Sequence, residues 1–207
     1  MVIEVQANDV CSQNVLTKRQ PSTASLCSMN IFSRLLFALV LLVVVTGCAT
    51  RAPMATVDSV DLKRFTGDWY VIANIPTFIE RDAYNAIESY ALDEQGNMPT
   101  TFTFNKGGFD GPLKTYRPKG FIKDTDTNAL WGMQFIWPIK ADYRIVYLSE
   151  DYQRTIVGRR ARDYVWIMAR KPKISDDALK EMVDKVKDLG YDVSKLRMVP
   201  QQELHER

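Results

Sequence analysis

Apolar side chains are spread along this 207-residue chain in two different ways. Between Ile31 and Val45 they crowd into one run. Beyond Arg51 they fall in short stretches that alternate with polar residues and stop at Gly, Pro, Asn or Asp. A period of two marks a strand with one buried face. Strands are therefore predicted over 67–75, 84–92, 100–105, 113–123, 130–136, 142–148, 155–159 and 164–170. Turn signals separate them, among them Pro76, Gly96-Asn97, Gly107-Gly108, Asp126-Thr127-Asn128 and Trp137-Pro138. Eight neighbours joined by short turns favour an antiparallel up-and-down β-barrel, because closure leaves no exposed edge.

After the last strand the period changes to that of a helix. Leu179, Met182, Val183, Val186 and Leu189 form one stripe at spacings of three and four. Ser175 is a suitable N-cap, Asp176 and Asp177 suit the first turn, and Gly190 is a natural stop. A helix over 175–189 with one apolar face must lie on something flat. Val146 and Leu148, sharing a phase of the sixth strand, are its expected seat on the barrel wall. The fold class is all-β with one C-terminal α-helix.

Composition mainly removes options. A net charge of +2 with scattered Lys and Arg gives no footprint for nucleic acid. The three cysteines are Cys11, Cys27 and Cys48, and the one histidine is His205. The stretch after Cys48 therefore offers no disulfide, no catalytic thiol and no multi-His or multi-Cys metal site. Ser-His-Asp and Cys-His nucleophile systems are excluded as well. No cofactor is implied.

The N-terminal run reads as an address. From Met29 the chain has a short basic start, an apolar core from Leu35 to Val45, and Thr46-Gly47 before Cys48. That order is the pattern of a secretory signal, and the core is shorter than the ~20 residues needed to span a bilayer. Val45-Thr46-Gly47-Cys48 resembles the lipobox of bacterial lipoproteins, which implies acylation of Cys48. Ala49, being other than Asp, implies sorting to the outer membrane. The expected organisation is an over-long start at 1–28, a lipoprotein signal at 29–47, a lipidated tether at 48–60 and the barrel with its helix at 61–207.

Three short motifs in order carry a further resemblance. Gly67-Asp68-Trp69 opens the first strand, Ala141-Asp142-Tyr143 enters the sixth, and Arg170 ends the eighth. Together they resemble the signature positions of the lipocalin family, with Ala141 where the family has Thr. Phe78-Ile79-Glu80-Arg81, Asp163-Tyr164-Val165-Trp166-Ile167 and Tyr191-Asp192-Val193-Ser194-Lys195 are similar to its bacterial and apolipoprotein D-like subgroup. The likeness runs from about Asp58 to Gln202. It implies a scaffold role for Gly67, Trp69, Asp142, Tyr143 and Arg170, with Trp69 across the closed end and Arg170 over its indole.

A barrel of eight strands is wide enough to hold one small ligand. Large apolar residues on single strand phases are the candidate cavity wall: Trp131, Met133 and Phe135, then Tyr143, Ile145 and Tyr147, then Trp166 and Met168. The resemblance implies that Tyr90 faces inward, and Tyr84, Ala86 and Glu88 share its phase. Glu88 reads either as a carboxylate near the mouth, paired with Arg or wet, or as a polar anchor for a head group. In the third strand the Phe102/Phe104 and Thr101/Thr103 phases are equally compatible with facing inward.

The resemblance implies a fatty acid or lysophospholipid ligand, stored or carried for envelope maintenance. The bilayer would be reached through acylated Cys48, with the domain in the periplasm, and members of the subgroup can form homodimers. The competing readings are a barrel filled by its own side chains, a carboxylate enzyme using Glu88, and a haem carrier, which would lack a histidine ligand on any strand.

Overall fold

The computed structural model describes residues 53–202. Asp61 begins the barrel as an N-cap, its carboxylate accepting from the backbone N–H groups of Lys63 and Arg64. The short helix α1 (Leu62–Phe65) that it caps places Phe65, fully buried, in one end of the barrel. Strands β1 (Gly67–Ile75), β2 (Ala83–Tyr90) and β3 (Met98–Lys106) follow as a meander. The fourth stave is made of two pieces, β4 (Leu113–Tyr116) and β5 (Lys119–Ile122), both paired with β3. Pro118 lies between them and has no N–H to give a ladder, so the single strand expected over 113–123 is interrupted there.

Four more strands complete the wall: β6 (Leu130–Ile136), β7 (Ile139–Leu148), β8 (Arg154–Gly158) and β9 (Val165–Ala169). Each pairs antiparallel with the next, and β9 pairs back onto β1 to close the barrel. The fold is an eight-stranded antiparallel closed β-barrel followed by a C-terminal helix. A short tenth strand, β10 (Arg197–Met198), lies on β1 after the helix. It was not legible as a strand because two residues give no alternation.

Helix α2 (Asp176–Asp188) starts at Ser175, whose hydroxyl accepts from the Ala178 N–H, and gives way at Gly190 with φ 86°. Met182 and Val186 are fully buried against Ile72, Ile75, Ile156, Val165 and Ile167 on the outer face of the wall. The barrel interior forms a second, separate apolar cluster that includes Trp69, Tyr90, Phe102, Trp131, Tyr143 and Met168.

Four register irregularities interrupt the ladders, in β1, β2, β6 and β7, and the bulges in β2 and β7 redirect residues expected in the cavity. In β2 the register slips between Tyr84 and Ile87, with Asn85 at φ 50°. Asn tolerates this left-handed conformation through local hydrogen bonding. Its side chain accepts from the Gln202 N–H, and its own N–H donates to the Pro200 carbonyl. The extra residue turns Tyr84 outward, against Phe109, while Ala86 and Tyr90 face inward. The expectation that Tyr84 lines the cavity is thereby corrected.

The second bulge lies in β7, between Ile145 and Tyr147. Ile145 points inward, and both Val146 and Tyr147 then face α2, where Lys185 sits 4.8 Å from the Tyr147 ring. Tyr147 is thus no cavity residue, and Leu148 packs with the barrel interior instead of seating the helix. In β3 the open choice falls to Phe102 and Phe104, both buried inside. Cys48 and the segments 1–28 and 29–47 lie outside the described residues.

Candidate functional site

The barrel has two unlike ends. At the closed end the Trp69 indole is fully buried and donates from Nε1 to the Phe65 carbonyl at 2.9 Å. Arg170 lies over it, its guanidinium carbon 3.9 Å from the ring centre. The same guanidinium donates to the carbonyls of Arg64, Phe65, Asp68 and Tyr152. One side chain therefore ties α1, β1 and the β7–β8 turn together, and cation–π attraction adds roughly 0.5–2 kcal/mol. Gly67 suits the entry into β1, since its φ of 92° is one that L side chains rarely adopt.

Above this plate the interior is filled by rings. Phe65, Tyr90 and Trp131 meet edge to face, and Tyr143 stacks on Trp131 at 5.1 Å. Ile145 and Met168 complete the packing and are fully buried. Tyr90, Trp131, Ile145 and Met168 face inward but form the solid lower half, so they do not line the cavity as expected. Alternation alone cannot tell a wall from a filling.

The upper half is hollow. A cavity of about 240 Å³ opens at the end where β6 meets β7. Of the expected wall residues it takes in Glu88, Met133, Phe135, Tyr143 and Trp166. It also takes in Thr77, Phe78, Ile79 and Glu80 from the β1–β2 turn, with Thr100, Phe102, Pro118, Ile136, Ala141, Asp142, Arg159 and Tyr164. The loop residues had no periodicity to betray them. The only clue was the subgroup-like run from Phe78 to Arg81. Around the mouth, large apolar side chains stand in solvent: Phe78, Ile136, Trp137 and Ile139 are between 68% and 82% exposed.

Asp142, at the second signature position, accepts from Arg144 Nε and from the Arg160 N–H. It anchors β7 to the loop after β8. Tyr143 beside it turns inward, its hydroxyl 2.5 Å from that of Tyr90.

Besides Asp142, two carboxylates face this cavity, Glu80 and Glu88. Glu80, near the mouth, accepts from Asn74 Nδ2, Thr77 Oγ1 and Trp166 Nε1, each at 2.8 Å. Burial pushes its carboxyl above the ordinary range despite these donors. Glu88 stands opposite Trp69 in the β1–β2 ladder and opposite Phe102 in the β2–β3 ladder. It is therefore deep, on the cavity floor, and not near the mouth or beside an Arg. Its Oε2 accepts from the Tyr90 hydroxyl, which contacts Tyr143 in turn. Burial away from water raises the Glu88 carboxyl to about 7, with Glu80 adding to the rise. The Tyr90 and Tyr143 hydroxyls are pushed well above their usual value, first by burial and then by the Glu88 charge.

Comparison with known proteins agrees with this architecture. Residues 60–201 match the family described as Lipocalin-like domain. The chain is 30% identical over 162 residues to Outer membrane lipoprotein Blc of Escherichia coli (strain K12), covering 76% of this chain and 90% of that one. It is 29% identical to Temperature-induced lipocalin-1 of Arabidopsis thaliana, with 73% and 84% covered. Apolipoprotein D of Mus musculus is 25% identical, with 70% and 78% covered. Among solved structures, insecticyanin from the tobacco hornworm Manduca sexta superposes with a TM-score of 0.56 over 72% of this chain and 84% of that one, at 18% identity. The cockroach allergen Per a 4 gives 0.52 over 72% and 93%, at 23% identity. With the closed barrel, the helix on its wall and the family match over most of its length, this chain belongs to the lipocalin family.

Proposed function

We propose that this protein is a lipid-binding outer-membrane lipoprotein that holds a fatty acid or lysophospholipid tail and stores or transports it for envelope maintenance. The observation that carries this reading is the cavity itself. It is a hollow upper half with walls of Phe102, Met133, Phe135 and Trp166 above a solid lower half. Each buried methylene contributes about 0.8 kcal/mol before the costs of association, so a single tail supplies useful affinity. The apolar rim supports the same reading. Phe78, Ile136, Trp137 and Ile139 are large side chains that an isolated soluble barrel would gain nothing by exposing, and Trp is at home in the headgroup layer of a bilayer.

The anchor is Cys48, which follows the secretory run, with the domain facing the periplasm. Similarity to a protein named as an outer membrane lipoprotein supports it. The role is binding and not catalysis. Members of the family are usually non-enzymatic binding proteins, and the cysteines and the histidine all lie outside residues 53–202.

Extraction of the purified protein followed by mass spectrometry tests the ligand. A single-chain lipid is expected in near-stoichiometric amount, and an empty pocket with no affinity for a fluorescent fatty probe overturns the reading. Palmitate labelling that is lost in Cys48→Ser tests the anchor.

A further inference from the structure

The polar groups of this cavity do not match an anionic head placed at its floor. Glu80 is spoken for, since three donors from β1, the β1–β2 turn and β9 converge on it. Glu88 is not. Its Oε2 has one donor, Tyr90, and its Oε1 has none among the described residues. The other groups around Glu88 are equally poor in cations. β3 contributes Thr100 and Phe102, β6 contributes Met133, β7 contributes Tyr143 and, higher up, Asp142, and β9 contributes Trp166. Among the described residues the one guanidinium on the lining, Arg159, stands by the mouth and away from the floor; its Nη1 is bonded to Asp163 at 3.0 Å and it lies over the Tyr164 ring, while its Nε is buried without a partner. Asp142 is held by Arg144. What the floor offers an incoming molecule is a carboxylate oxygen, a phenol oxygen and aromatic faces. All three are partners for a positive charge or a hydrogen-bond donor.

We propose that the cavity floor, Glu88 with Tyr143, selects single-chain amphiphiles that carry a protonated amine, inserted head first with the ammonium on Glu88 Oε1. This inference rests on the tail-binding reading above and narrows its head group. An ammonium replaces the missing donor and supplies a counter-charge to a carboxylate whose ionised form burial disfavours. A fatty carboxylate in the same place would need a proton shared between two acids. The two heads therefore respond to pH in opposite directions. An alkyl ammonium stays protonated and needs Glu88 ionised, so its affinity rises with pH. A carboxylate head needs Glu88 protonated, so its affinity falls.

Dodecylamine, laurate and dodecanol carry the same chain with a cationic, an anionic and a neutral head. Each would be titrated against the purified protein by displacement of a fluorescent fatty probe from about pH 6 to about pH 8, a span in which neither charged head changes state. Dodecylamine is expected to bind at least about tenfold tighter than laurate at the upper end, and to tighten as pH rises. In Glu88→Gln the preference for amine over alcohol should shrink about tenfold and its pH slope should vanish, with dodecanol unchanged. If that variant does not fold, the slope of the unaltered protein decides the matter alone. Laurate binding as tightly as the amine, or tightening as pH falls, overturns the head assignment and leaves the tail-binding reading standing. Failure of all three to bind overturns that reading itself.

Discussion

The two halves of the barrel are built from the same kind of strand and do opposite things. Toward the closed end, inward positions carry Trp69, Tyr90, Trp131, Ile145 and Met168, all buried, and rings pack edge to face on rings. Toward the mouth, inward positions carry Phe102, Met133, Phe135 and Trp166, and the space between them stays open. The difference is one of plugging. Helix α1 drives Phe65 into the lower half, and among the described residues nothing comparable enters the upper one. A filled half supplies stability, which leaves the hollow half free to be under-packed and to bind.

That contrast can be broken from either side. The largest effect is expected at the plate. Trp69→Ala deletes a fully buried indole together with the seat of Arg170, and should cost about 3–5 kcal/mol in urea unfolding. Wild-type stability with loss of ligand would reverse the assignment of this half to scaffolding.

Next comes Glu88, a titratable group on the boundary between the halves. Its carboxyl is raised from 4.5 to about 7, so the folded protein holds a proton that the unfolded chain has released. Its contribution to stability is therefore whole below about pH 4.5 and is lost as pH rises through about 7. Glu88→Gln removes the dependence, and above pH 8 it should be more stable than the parent by roughly 2–3 kcal/mol. Parallel stability profiles for the two proteins would count against a carboxylate held out of water without a counter-charge.

A smaller effect is expected from filling the hollow half. Met133→Trp places a second indole where the tail would lie, and should weaken a fluorescent fatty probe at least about tenfold, or about 1.4 kcal/mol. The melting temperature should change little, because the site has room. Loss of fold instead of affinity would mean the upper half is packed after all. The smallest change in the folded protein should come from the rim. Ile136→Ser with Trp137→Ser should alter stability by less than about 0.5 kcal/mol. Partition onto lipid vesicles should fall several-fold, and unchanged partition would detach the rim from membrane contact.

Much of this was legible beforehand, residue by residue. The strand from Gly67 to Ile75 and the helix with its Ser175 cap follow from alternation, spacing and capping chemistry, which act over a few residues. The closed-end pair could be named because its motif residues keep their order along the chain. The cavity was harder. Glu88, Met133, Phe135, Tyr143 and Trp166 were identified, while Tyr84 and Tyr147 were misplaced by one bulge each. Asn85 in mid-strand was a readable warning of the first. Nothing local announces the second. Glu80 sits in a family-like run with no local signal of its own, although its three donors make it the latch of the mouth.

By itself the sequence determined the secondary structure, the barrel class, the signature positions and the absence of imidazole and thiol from the barrel. These depend on side-chain identity and on neighbours within a turn or a pleat. Tertiary structure alone decided where the filling stops and the hollow begins, and that Glu88 lies on the floor with a single donor. Both are properties of how strands distant in sequence share one interior. Volume and unpaired hydrogen-bonding capacity are set by the sum of residues that meet, and no stretch of chain carries that sum.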